Sequence, residues 1–288
     1  MPDVRLAKSL DWQMATDPKL LDAAEPSAFA LLIEPFKRYV QIVQDYSYLA
    51  ARAVAALFTP PIYVNDLLEQ MDIIGIGSLP IVLLTGVFIG AVMVLQTASQ
   101  FERFGETSLT GDVVSLALVR ELGPAITGLL VAGRNASGMA SELGSMLVTE
   151  QVDAMRAMGT DPNRKLVAPR VLATVCVLPL LTAMADFVGL IGGFVIAYFT
   201  LRIGRVEFWT RAINALEFSD LMQGMAKPVV FGFLLATVGC YKGLTVRGGT
   251  EGVGRATTQA VVISSVLILI TDFFLTKVSL FLAGGVKF

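Results

Sequence analysis

Apolar and polar positions follow one another along this chain in long blocks. Five apolar blocks, at 79–99, 113–132, 171–200, 229–246 and 261–281, are each long enough to cross a hydrocarbon core, which takes about 20 helical residues. The third is the longest and the fourth the shortest. Pro80, Pro124, Pro179 and Pro228 lie in or beside these blocks. Each predicts a bend, because in a membrane helix neighbouring groups can satisfy the carbonyls that proline frees. Gly86, Gly90, Gly189, Gly192 and Gly193 predict close helix packing, with Gly189 and Gly193 in GxxxG spacing.

Two segments have a different rhythm. From 29 to 58 the apolar residues Phe29, Leu32, Ile33, Phe36, Val40, Val43, Tyr46 and Leu49 recur at helical spacing, opposite Glu34, Lys37, Arg38, Gln41, Gln44 and Asp45. The pattern predicts an amphipathic helix, lying either along a membrane surface or against the protein's own polar side. Pro60 and Pro61 end it, and a short helix to about Met71 is expected next. Residues 1–28 lack the basic start, compact apolar core and cleavage site of a signal peptide. The other segment, 133–170, is the most polar part of the chain's middle. Within it, 141–158 reads as one helix, with Leu143, Met146, Leu147 and Met155 apolar and Glu142, Glu150, Asp153 and Arg156 polar. Gly159 stops it and Asp161-Pro162 makes a turn. Such a helix could lie on the membrane or receive force from a separate motor.

Composition supports the membrane reading: 55% of residues are hydrophobic, 16% are charged and the mean hydropathy is +0.69. A soluble domain carries about 25% charged residues. The net charge of -2, without long runs of one sign, points to no nucleic acid. Histidine is absent, which excludes Ser-His catalysis, His-ligated zinc and His proton relays. Cys176 and Cys240 sit in apolar runs, so neither a disulfide nor a metal site is expected. Fourteen Lys and Arg fall on the side holding the amino-terminal region, the 133–170 loop and the last loop; seven, Lys227 among them, fall on the other. The basic-rich side is expected to be cytoplasmic, with the amino terminus inside and the carboxyl terminus outside.

Wording at the residue level goes further. Arg120-Glu121-Leu122-Gly123-Pro124, Ala132-Gly133-Arg134, Ser141-Glu142-Leu143-Gly144 and Thr149-Glu150-Gln151-Val152-Asp153-Ala154-Met155 follow in order. After them come Asp161-Pro162, Pro169-Arg170-Val171-Leu172, Leu178-Pro179-Leu180-Leu181-Thr182 and Gly252-Val253-Gly254-Arg255-Ala256-Thr257-Thr258. The series resembles the MlaE (YrbE-like) permeases of lipid-transporting ABC systems, from about residue 35 to the end. Residues 1–34 read as a cytoplasmic amino-terminal extension and 35–288 as the permease domain.

The resemblance implies an all-α integral membrane protein of a bacterial inner membrane, with an amino-terminal interfacial helix, five spans and a cytoplasmic coupling helix between the second and third. It implies a homodimer that works with a cytoplasmic ABC ATPase, an MCE-domain lipid-binding protein and, in some systems, a STAS-domain protein. The implied cargo is phospholipid or related apolar lipid. No enzyme activity, cofactor or metal is expected in this chain; ATP and magnesium are expected on the ATPase.

Arg120 and Glu121 stand out as charges inside a span, where an ionised side chain costs about 2.5 to 3.5 kcal/mol. They could line a lipid cavity, with arginine suited to phosphate, or tie two helices together. Val92, Leu95, Gln96, Ser99 and Arg103 lie on or near one helical face of the first span; the resemblance implies a lipid-facing surface along this helix and makes them the other lipid-cavity candidates, the alternative being a face that packs on the second span. The ATPase-coupling candidates are Glu142, Glu150, Gln151, Asp153 and Arg156 as charged or polar contacts, with Met146, Leu147 and Met155 as apolar anchors. Asp186 and Asp272 are lone intramembrane carboxylates, expected to hydrogen-bond a neighbouring helix. The run 249–256 has a P-loop's glycine spacing but puts Arg and Ala where Lys and Ser or Thr belong, so it reads as a turn. The alternative function is a stand-alone, ion-coupled secondary transporter or channel; the polar coupling segment and the absence of an internal repeat weigh against it. An intramembrane enzyme finds no nucleophile and base here.

Overall fold

The computed structural model describes residues 28–57 and 63–282, and among these every regular element is helical. Contacts divide the chain into two units, 1–48 and 49–288. The first contributes the start of α1 (Ala28–Leu57), a helix over nearly the whole predicted 29–58 segment; the end of α1, inside the second unit, buries Ala53 and Ala56. The Pro60-Pro61 break and most of the 1–34 extension lie outside the described residues.

Five helical runs are long and apolar enough to cross a membrane: Val64–Phe104, Thr107–Val148, Asn163–Phe199, Phe218–Leu244 and Gly249–Phe281. The five predicted blocks fall inside them except for Thr200, Thr245 and Val246 at two of the ends, yet the runs are longer. The expected short helix to Met71 and the first span are one helix, α2 (Val64–Phe101). Asp66, Glu69 and Asp72 lower the hydropathy there, but nothing in the stretch stops a helix. At 1.5 Å per residue its 38 residues reach about 57 Å, well beyond the hydrocarbon.

The second span holds three α-helices, α3 (Thr110–Ala117), α4 (Gly123–Val131) and α5 (Ser137–Val148). Wide π turns at Leu118–Leu122 and Ala132–Ala136 join them. The predicted single helix at 141–158 is therefore two elements. Its first half is α5, the continuation of the second span. Its second half is α6 (Gln151–Ala157), set off by Glu150 at φ 61. Small residues explain why α5 packs although its sequence is polar. Val246 and Val253 come up to Gly144, and Gly243 meets Leu143 and Ala140.

A third π turn, Asn163–Val167, leads into α7 (Ala168–Phe199). Helix α8 (Arg205–Asn214), which the hydropathy blocks do not predict, lays Phe208 and Ala212 into a core shared with Val114 and Leu118. The fourth and fifth spans are α9 (Phe218–Leu244) and α10 (Gly249–Leu282).

The packing glycines do what their spacing predicts. A Cβ on Gly90 would overlap the Gly189 carbonyl, and one on Gly192 would overlap that of Val87. The first and third spans thus touch backbone to backbone, the approach small residues permit in lipid. Leu178, Leu181, Phe231, Leu235 and Ile268 fill the main core.

Candidate functional site: a buried ion cluster joining three spans

The π turn Leu118–Leu122 carries Arg120 and Glu121 as neighbours and turns both toward the fourth and fifth spans. On α9, Asp220 and Lys227 are seven residues apart and so share a face; on α10, Asp272 and Thr276 are four apart and do the same. Gly224, between Asp220 and Lys227, lets α9 close on the turn, since a Cβ there would overlap the Val119 carbonyl.

Lys227 is the centre. Its side chain is 2% exposed, and its ammonium pairs with Glu121, lies 3.0 Å from Asp272 Oδ1, and donates to Thr276 Oγ1 at 2.8 Å and to the Arg120 carbonyl at 3.0 Å. The Thr276 hydroxyl lies 3.2 Å and 3.1 Å from the two Glu121 oxygens. A second pair adjoins the first through the neighbouring residue Arg120. Arg120 Nε donates to Asp220 Oδ1 at 2.7 Å, while Asp220 Oδ2 accepts the Glu217 N–H at 3.0 Å in a reciprocal cap at the start of α9. Two cations thus meet three carboxylates, a density of charge that survives in an apolar setting only when the partners are in place.

Beside this cluster opens a cleft of about 570 Å³, a volume typical of small-molecule sites. Arg120, Asp220, Gln223 and Lys227 form its polar wall, and Met222, Leu275 and Val278 are among its apolar residues. A cleft with one ionic and one greasy wall can hold an amphiphile.

The predicted residues divide. Arg120 and Glu121 are brought together with the fourth and fifth spans. Val92, Leu95, Gln96 and Ser99 are exposed on the side of α2 away from Val94 and Ala98, Arg103 is exposed in the turn that follows it, and none of them lines the cleft. Lys227 and Asp220 are the residues that sequence reasoning missed. Counting Lys227 as a loop charge was wrong, because the fourth span begins at Phe218 instead of 229 and takes the lysine inside. The signal was there in Lys227-Pro228, next to the apolar block. Asp272 meets Lys227, an ion pair where a hydrogen bond was expected. Asp186 departs from expectation too: its Oδ1 has no hydrogen-bond partner and lies against Gly123.

At the far end of the second span, Glu142 is 2.7 Å from Arg170, whose side chain is 5% exposed and whose Nη1 donates to the Leu166 carbonyl at 2.7 Å. The pair ties the two stems of the 149–162 segment together. Met146, Leu147 and Met155 pack on this chain's own core, so the apolar anchors do have a partner here. Glu150, Gln151, Asp153 and Arg156 remain exposed, with Arg156 donating to Asp153 at 2.9 Å.

The Permease MlaE family matches residues 67–278. The chain belongs to the MlaE permease family. Its relatives include a "Probable ABC transporter permease protein" of Rickettsia felis, 41% identical over 83% of this chain and 93% of that protein. A protein with the same description from Synechocystis is 43% identical over 74% and 81%. "Protein TRIGALACTOSYLDIACYLGLYCEROL 1, chloroplastic" of Arabidopsis thaliana is 38% identical over 80% of this chain and 65% of its own length. As an MlaE-family ABC transporter permease, the chain sets its ion cluster inside the matched region, from Arg120 to Thr276.

Proposed function

We propose that this permease moves phospholipids or related apolar lipids across a bacterial inner membrane, as a homodimer driven by a cytoplasmic ABC ATPase and served by an MCE-domain lipid-binding protein. A STAS-domain protein joins such an assembly in some systems. One observation carries the reading: the cleft that joins the Arg120–Asp220 and Lys227 ion pairs to an apolar wall. Its chemistry matches a lipid, with a charged head and apolar chains. The plant relative has a glycolipid in its name, which favours the same cargo class.

In this reading α1 lies at the membrane interface. Helix α6 is the coupling element, presenting Glu150, Gln151, Asp153 and Arg156 to the ATPase, and the Glu142–Arg170 pair carries its motion into the second and third spans. The first-span residues Val92, Leu95, Gln96, Ser99 and Arg103 face the second copy or the lipid path between copies.

Reconstitution of the complex in vesicles with a fluorescent phospholipid tests the proposal. ATP-dependent lipid movement that falls at least tenfold in Glu121→Gln, with the complex intact, is the expected result. Undiminished movement in that variant would remove the cluster from the path, and ion flux without ATP would favour the stand-alone secondary transporter.

A further inference from the structure

The turn between the fourth and fifth spans, whose glycine spacing fits no nucleotide site, encloses a second cavity of about 180 Å³. Lys242, Arg247 and Arg255 line it, with Thr245, Gly252 and Gln259. Three cations converge from two helices and the turn between them. One carboxylate stands nearby, the exposed Glu251, 3.5 Å from Arg255. Lys242 donates to the neutral Gln259 at 3.1 Å, and among the described residues the Arg247 side chain has no hydrogen bond or ion pair. The cavity is therefore short of negative charge, unlike the ion cluster, where carboxylates outnumber cations.

The backbone holds this cavity open. Gly248 and Gly249 take φ 94 and φ 64, values that favour glycine, and a Cβ on Gly252 would overlap the Arg247 carbonyl. The tight turn places the start of the 34-residue α10, with its positive dipole end, beside the three side chains. Val246 and Val253 contact Gly144 of α5, so the cavity lies at the end of the molecule that carries α6.

We propose that this cavity binds a phosphate group, a site separate from the cleft at the ion cluster. Guanidinium groups match phosphate oxygens in pairs, and Lys242 adds a point charge. Placed at the ends of two membrane spans, the cations sit where a lipid phosphate would reach them, and basic pockets between spans take anionic head groups in this way. A bound phosphate would link the ends of α9 and α10 next to the segment that receives force, so occupancy would stiffen that end.

The test uses the full-length chain in neutral detergent, with the unfolding midpoint followed on adding phosphatidylglycerol, phosphatidylcholine or inorganic phosphate. In the native chain phosphatidylglycerol is expected to raise the midpoint by several degrees and phosphatidylcholine to leave it unchanged. At about a fivefold loss per cation, the K242Q/R247Q/R255Q variant should need on the order of a hundredfold more anionic lipid for the same rise. The R247K/R255K variant keeps the charge and checks that the turn folds; it should retain part of the effect. A shift with inorganic phosphate alone, lost in the glutamine variant, also supports the site and identifies a free anion as its ligand. Equal shifts in native and glutamine variants would overturn the proposal. So would a glutamine variant that responds normally to lipid but no longer holds an ATPase, which would make the cavity part of a protein docking surface.

Discussion

Lys227 donates to the main-chain carbonyl of Arg120 at 3.0 Å, and Arg120 stands four residues before Pro124. Proline has no N–H to offer the carbonyl one turn back and its ring crowds it, so that carbonyl needs another donor. The lysine of the fourth span supplies it, and the π turn at Leu118–Leu122 gives the room. The same ammonium is the counter-charge shared by Glu121 and Asp272, so one side chain repairs the backbone and closes the ion cluster.

Removing the ammonium should be expensive. Lys227→Met leaves Glu121 and Asp272 without their shared counter-charge; breaking a fully buried pair from one side costs about 3 to 5 kcal/mol, and the 38% exposure of Glu121 brings the expected loss to about 2 to 3 kcal/mol. Thermal unfolding in mild detergent should show a large loss for Lys227→Met and a partial recovery in Lys227→Met/Glu121→Gln. Additive losses in the double variant would mean that the two residues do not act together.

Gly90 and Gly133 offer a paired comparison of glycines within helical runs. A Cβ at Gly90 runs into the Gly189 backbone, whereas at Gly133 it meets nothing within 4 Å. Gly90→Ala should lower the unfolding temperature by several degrees, while Gly133→Ala should be neutral or stabilising by up to about 1 kcal/mol. Equal behaviour would mean that the first and third spans do not meet as described.

Asp186 and Gly123 predict a rescue. Gly123→Ala puts a methyl group onto the Asp186 carboxyl, so it should be destabilising alone and largely restored by Asp186→Ala. Stability of the two single variants and the double, set out as a cycle, reads the coupling directly.

Charge reversal separates the two roles within the 133–170 stretch. Glu150→Lys with Asp153→Lys changes exposed side chains; it should leave the fold intact and uncouple ATP hydrolysis from lipid movement. Glu142 is itself half exposed but faces the buried Arg170, so Glu142→Lys should destabilise the permease by about 1 to 2 kcal/mol. Matched stability losses for the two would contradict this division.

Hydropathy made the five spans legible because lipid-facing residues must be apolar whatever they pack against. It read the ends less well, because helix length is set by caps and breakers and not by polarity. Asp66 and Asp72 at one end of the first span, and Lys227 in the fourth, fall outside the predicted blocks for that reason. Arg120 and Glu121 could be picked out as charges in an apolar block. Their partners could not, since Asp220 and Thr276 are 100 and 155 residues away from them and only packing brings these positions together. The division of 141–158 at Glu150 was also hidden, because a left-handed glutamate leaves no pattern in the sequence.

The proposed function requires that this chain move lipid with force made on another chain. The most direct measurement is mass spectrometry of the tagged full-length protein, purified in mild detergent, for both proteins and lipids. A P-loop ATPase together with phospholipid that is lost on Glu121→Gln is the predicted result. A stable, folded chain that carries neither would contradict it.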